Sequence, residues 1–280
     1  RINGGNLIKG NDGISSMINV ELLSGSLTFG NGRVEILGAF TLANGNATLG
    51  SGIFSVNGPF IQTGGTAQKA SGIAHFNSAT PAVISNGTFN CAAATMNFKG
   101  VQFNSGFFNG GTGSIYFTAP VSFSNTQVDK PSGGWYMNNN APIAFSNTPV
   151  NFGNTIFNGV DLSISNSIVN LGTGSILASG SANFIGSEIS KVSGGLRLAL
   201  NDTLNLNQTE FITGNGLFSV NHLVMSGSEL NIGSGNSSVL GYSSISQNSS
   251  LVKSSGDIHL SYNSAIDLIG SNVDLAGCNL

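Results

Sequence analysis

Four copies of one phrase recur at an interval of 61 residues: Ala47-Thr-Leu-Gly-Ser-Gly52, Phe108-Asn-Gly-Gly-Thr-Gly113, Val169-Asn-Leu-Gly-Thr-Gly174 and Leu230-Asn-Ile-Gly-Ser-Gly235. A second phrase keeps the same beat. Lys69-Ala-Ser-Gly72, Lys130-Pro-Ser-Gly133, Lys191-Val-Ser-Gly194 and Lys253-Ser-Ser-Gly256 are spaced 61, 61 and 62 apart, with a degenerate copy at Lys9. So even a repeat constrains the architecture before any single residue does, because each unit can bury its apolar face only against the next. It also leaves little room for a unique active site.

A shorter rhythm lies inside each unit. An apolar residue, any residue, a pair of small polar residues or glycine, any residue and a second apolar residue recur, as in Phe123-Ser-Asn-Thr-Gln-Val128 and Ile164-Ser-Asn-Ser-Ile-Val169. Successive starts from Ile2 to Leu268 lie 19–23 residues apart, so each 61-residue unit divides into two short coils and one long coil. Apolar pairs with one residue between them, such as Leu196/Leu198, Leu204/Leu206 and Leu230/Ile232, read as short strands with one face buried. Gly, Asn, Ser and Asp between the pairs supply the turns. No stretch has helical periodicity. The pattern predicts an all-β fold: a three-sided parallel β-helix (solenoid) of about 14 coils of 19–23 residues in 61-residue super-repeats. As one continuous solenoid over 1–280, its units fall at about 7–66, 67–127, 128–188 and 189–250, with a partial unit at 251–280. At roughly 4.8 Å per coil the rod would be roughly 65 Å long. Phe54, Phe76, Phe98 and Phe117 are expected to stack as a ladder. An evenly spaced β-sandwich is the alternative, but it does not require one residue type once per coil.

Only 8% of the residues are charged, far below the roughly 25% of an average soluble domain, while 40% are hydrophobic, enough to build a core. The net charge of -3 comes without any basic cluster, which argues against nucleic-acid binding. No apolar run approaches the roughly 18 residues needed for a membrane-spanning helix. A chain opening at Arg1 without a signal peptide reads as a processed protein or a segment of a longer one.

The lysines are the first candidates for chemistry. In short coils the matching position is usually apolar (Phe29, Leu49, Phe152, Leu171, Ile232, Leu275). An unpaired ammonium is not held in an apolar core. The expectation is therefore that the strand ends at each Lys and the extra residues of the long coil form a bulge there. That would put Lys9, Lys69, Lys130, Lys191 and Lys253 outside, as a periodic contact ridge or simply a solvated corner. Six residues after each of the last four, His75, Tyr136, Arg197 and His259 would form a sparse outward stripe. Glu188, Glu210 and Glu229 are spaced to stack, which makes a bound cation conceivable, although splaying into water is the simpler outcome. Asn90, Asn109, Asn151, Asn170 and Asn231 are expected to stack as a structural ladder. Asn46, Asn86, Asn201, Asn207, Asn236 and Asn248 are sequons that permit N-glycosylation. Cys91 fits the inward column as a buried thiol. Cys278 lies about nine coils away, too far for a disulfide within one rod.

Coil length and turn chemistry resemble extracellular parallel β-helix proteins, including filamentous adhesins and autotransporter passengers. The resemblance covers the whole chain and is architectural. It implies an extracellular or cell-surface structural rod that self-associates end to end and laterally, with glycans as further partners and no cofactor or metal. The same fold hosts pectate lyases and polygalacturonases, so a polysaccharide lyase, hydrolase or carbohydrate-binding module is the alternative. Those enzymes cluster Asp with Arg, Lys or His on adjacent coils. Here Asp257, Asp267 and Asp274 with His259 make the nearest approach, and the expectation is that the chain is no enzyme. An ice-binding face is not expected either, because the column begun by Thr28 and Thr48 continues as Gln68, Asn90, Asn109 and Asp129. No capping element is visible at either end, and Leu280 falls at a core-phase position. Such ends suggest head-to-tail stacking into filaments.

Overall fold

The computed structural model describes residues 1–10, 13–260, 266–275 and 278–279. The expectation for Leu280 lies outside the described residues, and so does that for the Cys278 side chain. Two compact units are present, Arg1–Ala141 and Pro142–Leu280. Each is a three-sided parallel β-solenoid, and no helix occurs among the described residues.

In unit 1 the first sheet stacks Arg33–Ile36, Ile53–Val56, Ile73–Phe76, Thr95–Phe98 and Ile115–Phe117 in parallel. The second stacks Phe40–Leu42, Phe60–Gln62, Ala82–Ile84, Val101–Phe103 and Val121–Ser124. The third stacks Asn46–Thr48, Thr66–Gln68, Thr88–Asn90 and Gly106–Asn109. Its outward column reads Thr28, Thr48, Gln68, Asn90, Asn109, Asp129 in register. Unit 2 repeats the plan. Its third sheet, for example, stacks Ile168–Asn170, Glu188–Lys191, Glu210–Thr213, Glu229–Ile232 and Ser250–Lys253.

Register follows from the alternation: a slip of one residue would turn every apolar side chain outward. Inward columns hold like residues above like. Phe76, Phe98 and Phe117 stack with centroids 4.7 and 5.5 Å apart, and Phe103 lies 4.7 Å from Phe123. Each buried ring removes enough apolar surface from water to contribute about 2–3 kcal/mol. Phe54 departs from the expected ladder. It pairs with Ala74, while Phe76 pairs with Val56, so Phe54 occupies the neighbouring inward row. Its spacing of 22 to Phe76 exceeds the 20-residue coil at that point by two residues, which moves it one inward position back along the strand.

The corners explain the small polar pair in the short motif. In unit 2 the residue after the second-sheet strand adopts a left-handed conformation, as at Asn166 (φ 48), Gln208 (φ 49) and Gly227 (φ 56). A buried hydroxyl follows it. Ser167, Thr209 and Ser228 each donate to the carbonyl two residues back, at 2.7, 3.0 and 3.0 Å. Two of these hydroxyls also accept from the coil before: Ser167 from the N–H of Thr148 (3.0 Å) and Ser228 from that of Thr209 (3.1 Å). The motif thus encodes a corner whose polar groups are satisfied between coils rather than by solvent.

Candidate functional site

The lysines do not form an outer ridge. Lys69 and Lys130 have no exposed surface, Lys191 retains 3% and Lys253 1%; Lys9 is half-buried. They remain in phase with the core column, as the register of Lys191 with Thr213 and of Ile232 with Lys253 requires. Their partners are backbone carbonyls of the preceding coil. Lys69 Nζ donates to the carbonyls of Gly50 (2.8 Å) and Gly52 (2.6 Å). Lys130 donates to Gly111 (2.8 Å), Gly113 (2.7 Å) and its own-coil Ser132. Lys191 reaches Gly172 (3.5 Å) and Gly174 (2.5 Å); Lys253 reaches Gly233 (3.2 Å), Gly235 (2.6 Å) and Ser255 (2.7 Å).

The two 61-residue phrases are therefore the two halves of one device. Gly-Ser/Thr-Gly builds a cradle of carbonyl oxygens, and the lysine one coil later fills it. Glycine is required for two reasons. Gly111 sits at φ 57, where a side chain is strained, and a Cβ on Gly113 would run into the Ala94 carbonyl. The Asn before the cradle shapes its entry: Asn109 accepts from the N–H of Gly111 and Asn170 from that of Gly172, both at 2.9 Å. Asn90 accepts in the same way from the N–H of Ala92 at 3.2 Å, so three of the five expected ladder residues shape the turn after their strand. Direct stacking bonds occur as well, with Asn170 Nδ2 donating to Asn151 Oδ1 at 3.3 Å. Burial pushes the ammonium groups of Lys69, Lys130 and Lys191 from 10.5 down to about 8. At neutral pH the charged form still predominates, and it offers three donors to two or three carbonyls. Cys91 lies in the same column, fully buried; burial pushes its thiol up, against the opposing influence of Lys130.

The expected bulge beside each lysine is absent too. The extra residues of the long coil lie at the next corner instead, at 77–81 in unit 1 and 199–203 in unit 2.

The remaining candidates stay apart. His75 and Tyr136 are half-buried, while Arg197 and His259 are exposed. His75 lies in register with Asn97, and Tyr136 stacks on Tyr116 at 4.9 Å. Glu188, Glu210 and Glu229 are in register and exposed, beside a shallow groove lined by Ile168 and Ile212. No metal-holding group of three His, Cys, Asp or Glu side chains occurs among the described residues. All six sequon asparagines are exposed. Asp257, Asp267 and Asp274 lie on strands of three different sheets, Gly256–Leu260, Ile266–Ile269 and Asn272–Asp274, so the nearest enzyme-like grouping does not assemble.

A different cluster does assemble, at one corner of successive coils in unit 2. Ser181 donates its N–H to Asp161 Oδ1 (2.8 Å) and its hydroxyl to Asp202 Oδ2 (2.7 Å). The Ser181 bond, helped by Thr203 and His222, holds the Asp202 carboxyl below the usual range. His222 Nδ1 accepts from the N–H of Tyr242 at 3.0 Å, and the two rings stack at 4.4 Å. The coil spacing does align Asp161, Ser181, Asp202, His222 and Tyr242, which lie 20, 21, 20 and 20 residues apart; what hides the cluster is that this corner position carries no shared residue type for the repeat to pick out. Neither a family model, nor a curated protein, nor a solved structure matches this chain.

Proposed function

We propose that the chain is an extracellular structural rod, a subunit or segment of a surface filament or adhesive fibre that assembles by end-to-end and lateral contacts. One observation carries this reading: the most regular polar groups of the sequence are committed to binding coil to coil. Four of the nine Lys and Arg residues lie inside carbonyl cradles, and the corner hydroxyls bond to the adjacent coil. A chain built this way favours length and mechanical continuity over a single reaction centre. Parallel coils also present unpaired strand edges at any uncovered end, which supports end-to-end contact.

Electron microscopy and size-exclusion of the purified chain across a hundredfold concentration range test the proposal. Concentration-dependent linear particles are expected. A monomer that stays dispersed at every concentration would overturn assembly. Turnover of any member of a polysaccharide panel would favour the lyase or hydrolase reading instead.

A further inference from the structure

The 61-residue beat has a second expression, at the corner between the first and second sheets. In unit 1 that corner has three residues after Val56, five after Phe76, two after Phe98 and three after Phe117. Unit 2 repeats the order, with three residues at 179–181, five at 199–203, two at 221–222 and three at 240–242. A five-residue corner stands proud of the two-residue corner that follows it. In unit 1 the resulting recess has a volume of about 290 Å3 and is lined by Phe76, Asn77, Asn97, Phe98, Lys99 and Thr118.

We propose that this recess binds one anionic sugar residue, carboxylated or sulfated, of a polysaccharide. The lining supplies the three things such a ligand needs. Lys99 is exposed and takes part in no ion pair among the described residues, so its ammonium is available to an acidic group. Asn77 and Asn97 offer side-chain amides that are only partly engaged. Asn77 Nδ2 donates to Asn57 Oδ1 at 3.0 Å and Asn97 Nδ2 to the Ala74 carbonyl at 3.5 Å, which leaves the acceptor side of each amide for a ligand's donors. With the Thr118 hydroxyl they match sugar hydroxyls, which both donate and accept. Next to Asn97 in register stands Tyr116, stacked on Tyr136, an aromatic edge for the neighbouring ring of the polymer. The volume lies at the small end of ligand sites, which limits occupancy to a single ring.

The equivalent corner of unit 2 is a contrast within the same chain. There Asn221 stands where unit 1 has Lys99, His222 stands where it has Gly100, and the Asp202 carboxylate lies alongside. That corner has no lysine and sets a carboxylate beside its imidazole, so the proposed selection for an anionic sugar is assigned to unit 1. The inference deepens the adhesive part of the proposed function and rests on it. It does not need filaments, so the test uses dispersed full-length protein.

Calorimetric titration with uronic-acid oligomers, sulfated disaccharides, a neutral oligosaccharide of equal length and inorganic sulfate distinguishes the outcomes. Binding of a uronate or sulfated probe is expected with Kd between about 0.1 and 5 mM, as a single-ring site implies. Whichever of these two binds identifies the acidic group. Lys99→Gln and Asn97→Ala should each weaken it about tenfold, while Asn221→Ala binds as the wild type. Equal binding by Lys99→Gln, a preference for the neutral sugar, inorganic sulfate bound as tightly, or no binding by any probe would overturn the proposal. Binding that persists in a chain unable to form filaments would remove only the assembly reading.

Discussion

Replacing Lys69 by methionine asks whether the cradles hold the coils together or are merely tolerated. Lys69 is fully buried, and its two donated bonds, 2.8 Å to Gly50 and 2.6 Å to Gly52, join adjacent coils. Methionine keeps the length and the apolar stem but removes every donor. Two hydrogen bonds from a charged group contribute about 1.5–3 kcal/mol each, so about 3–6 kcal/mol is lost. Against this stands the desolvation of the ammonium, several kcal/mol for a buried ion, which the substitution relieves. The push of its pKa to about 8 shows that this term is present. The two terms partly cancel, and the carbonyls of Gly50 and Gly52 are left aimed at an apolar side chain. We expect a net destabilisation of about 1–3 kcal/mol, which lowers the thermal midpoint by about 2–4 °C per kcal/mol. Calorimetry and urea unfolding at pH 7 read the effect. Gly52→Ala attacks the same device from the acceptor side, since its Cβ would meet the carbonyls of Asn31 and Gly32, and it should destabilise as well. Lys99→Met, at an exposed lysine, should shift stability by less than about 0.5 kcal/mol. A Lys69→Met chain as stable as the wild type, or more stable, refutes the argument: desolvation would then outweigh the cradle.

The same lysines set a pH dependence. Lys69, Lys130 and Lys191 hold protons less tightly when folded (about 8) than at their ordinary 10.5, so between these values the unfolded chain binds more protons and stability rises with pH. The stability difference between wild type and Lys191→Met should therefore widen from pH 8 to 10.5; a difference that shrinks contradicts it. Ser228→Ala removes a buried hydroxyl that serves both Thr209 N–H and the Ser226 carbonyl, and should cost about 1–3 kcal/mol. Hydrogen exchange at the Thr209 amide should accelerate accordingly, and unchanged protection counts against the corner mechanism. Cys91, fully buried with its thiol pushed up, should react with a thiol reagent at pH 8 at least about 100-fold more slowly in the native chain than in urea. Labelling at comparable rates would show that the column opens.

How far the sequence could be read depended on which partner a residue has. Period-2 alternation and the 20-residue coil are local apolar patterns, so the three sheets and their outward columns follow from them directly. Lys69 shows where that reasoning stops. Its core phase was legible, since Leu49 and Leu171 occupy the equivalent place in other coils. Its burial was not, because a side-chain inventory finds no acid to pair with it. The partner is backbone, and backbone carbonyls carry no letter of their own. They become visible only as the glycines that free them, Gly50 and Gly52, placed 19 and 17 residues earlier. That offset from the first glycine is 19 again at Lys130 and Lys191 and 20 at Lys253. Two phrases on one beat, separated by one coil length, are therefore the sequence signature of a bond between coils. The corner sites obey a different rule. Extra residues at 77–81 and 199–203 are compensated by the short corners that follow, so coil length returns to its mean while the recess persists. Periodicity finds what every coil shares, and the groups that distinguish one recess from the next, Lys99 or His222, lie in the residues that periodicity averages away.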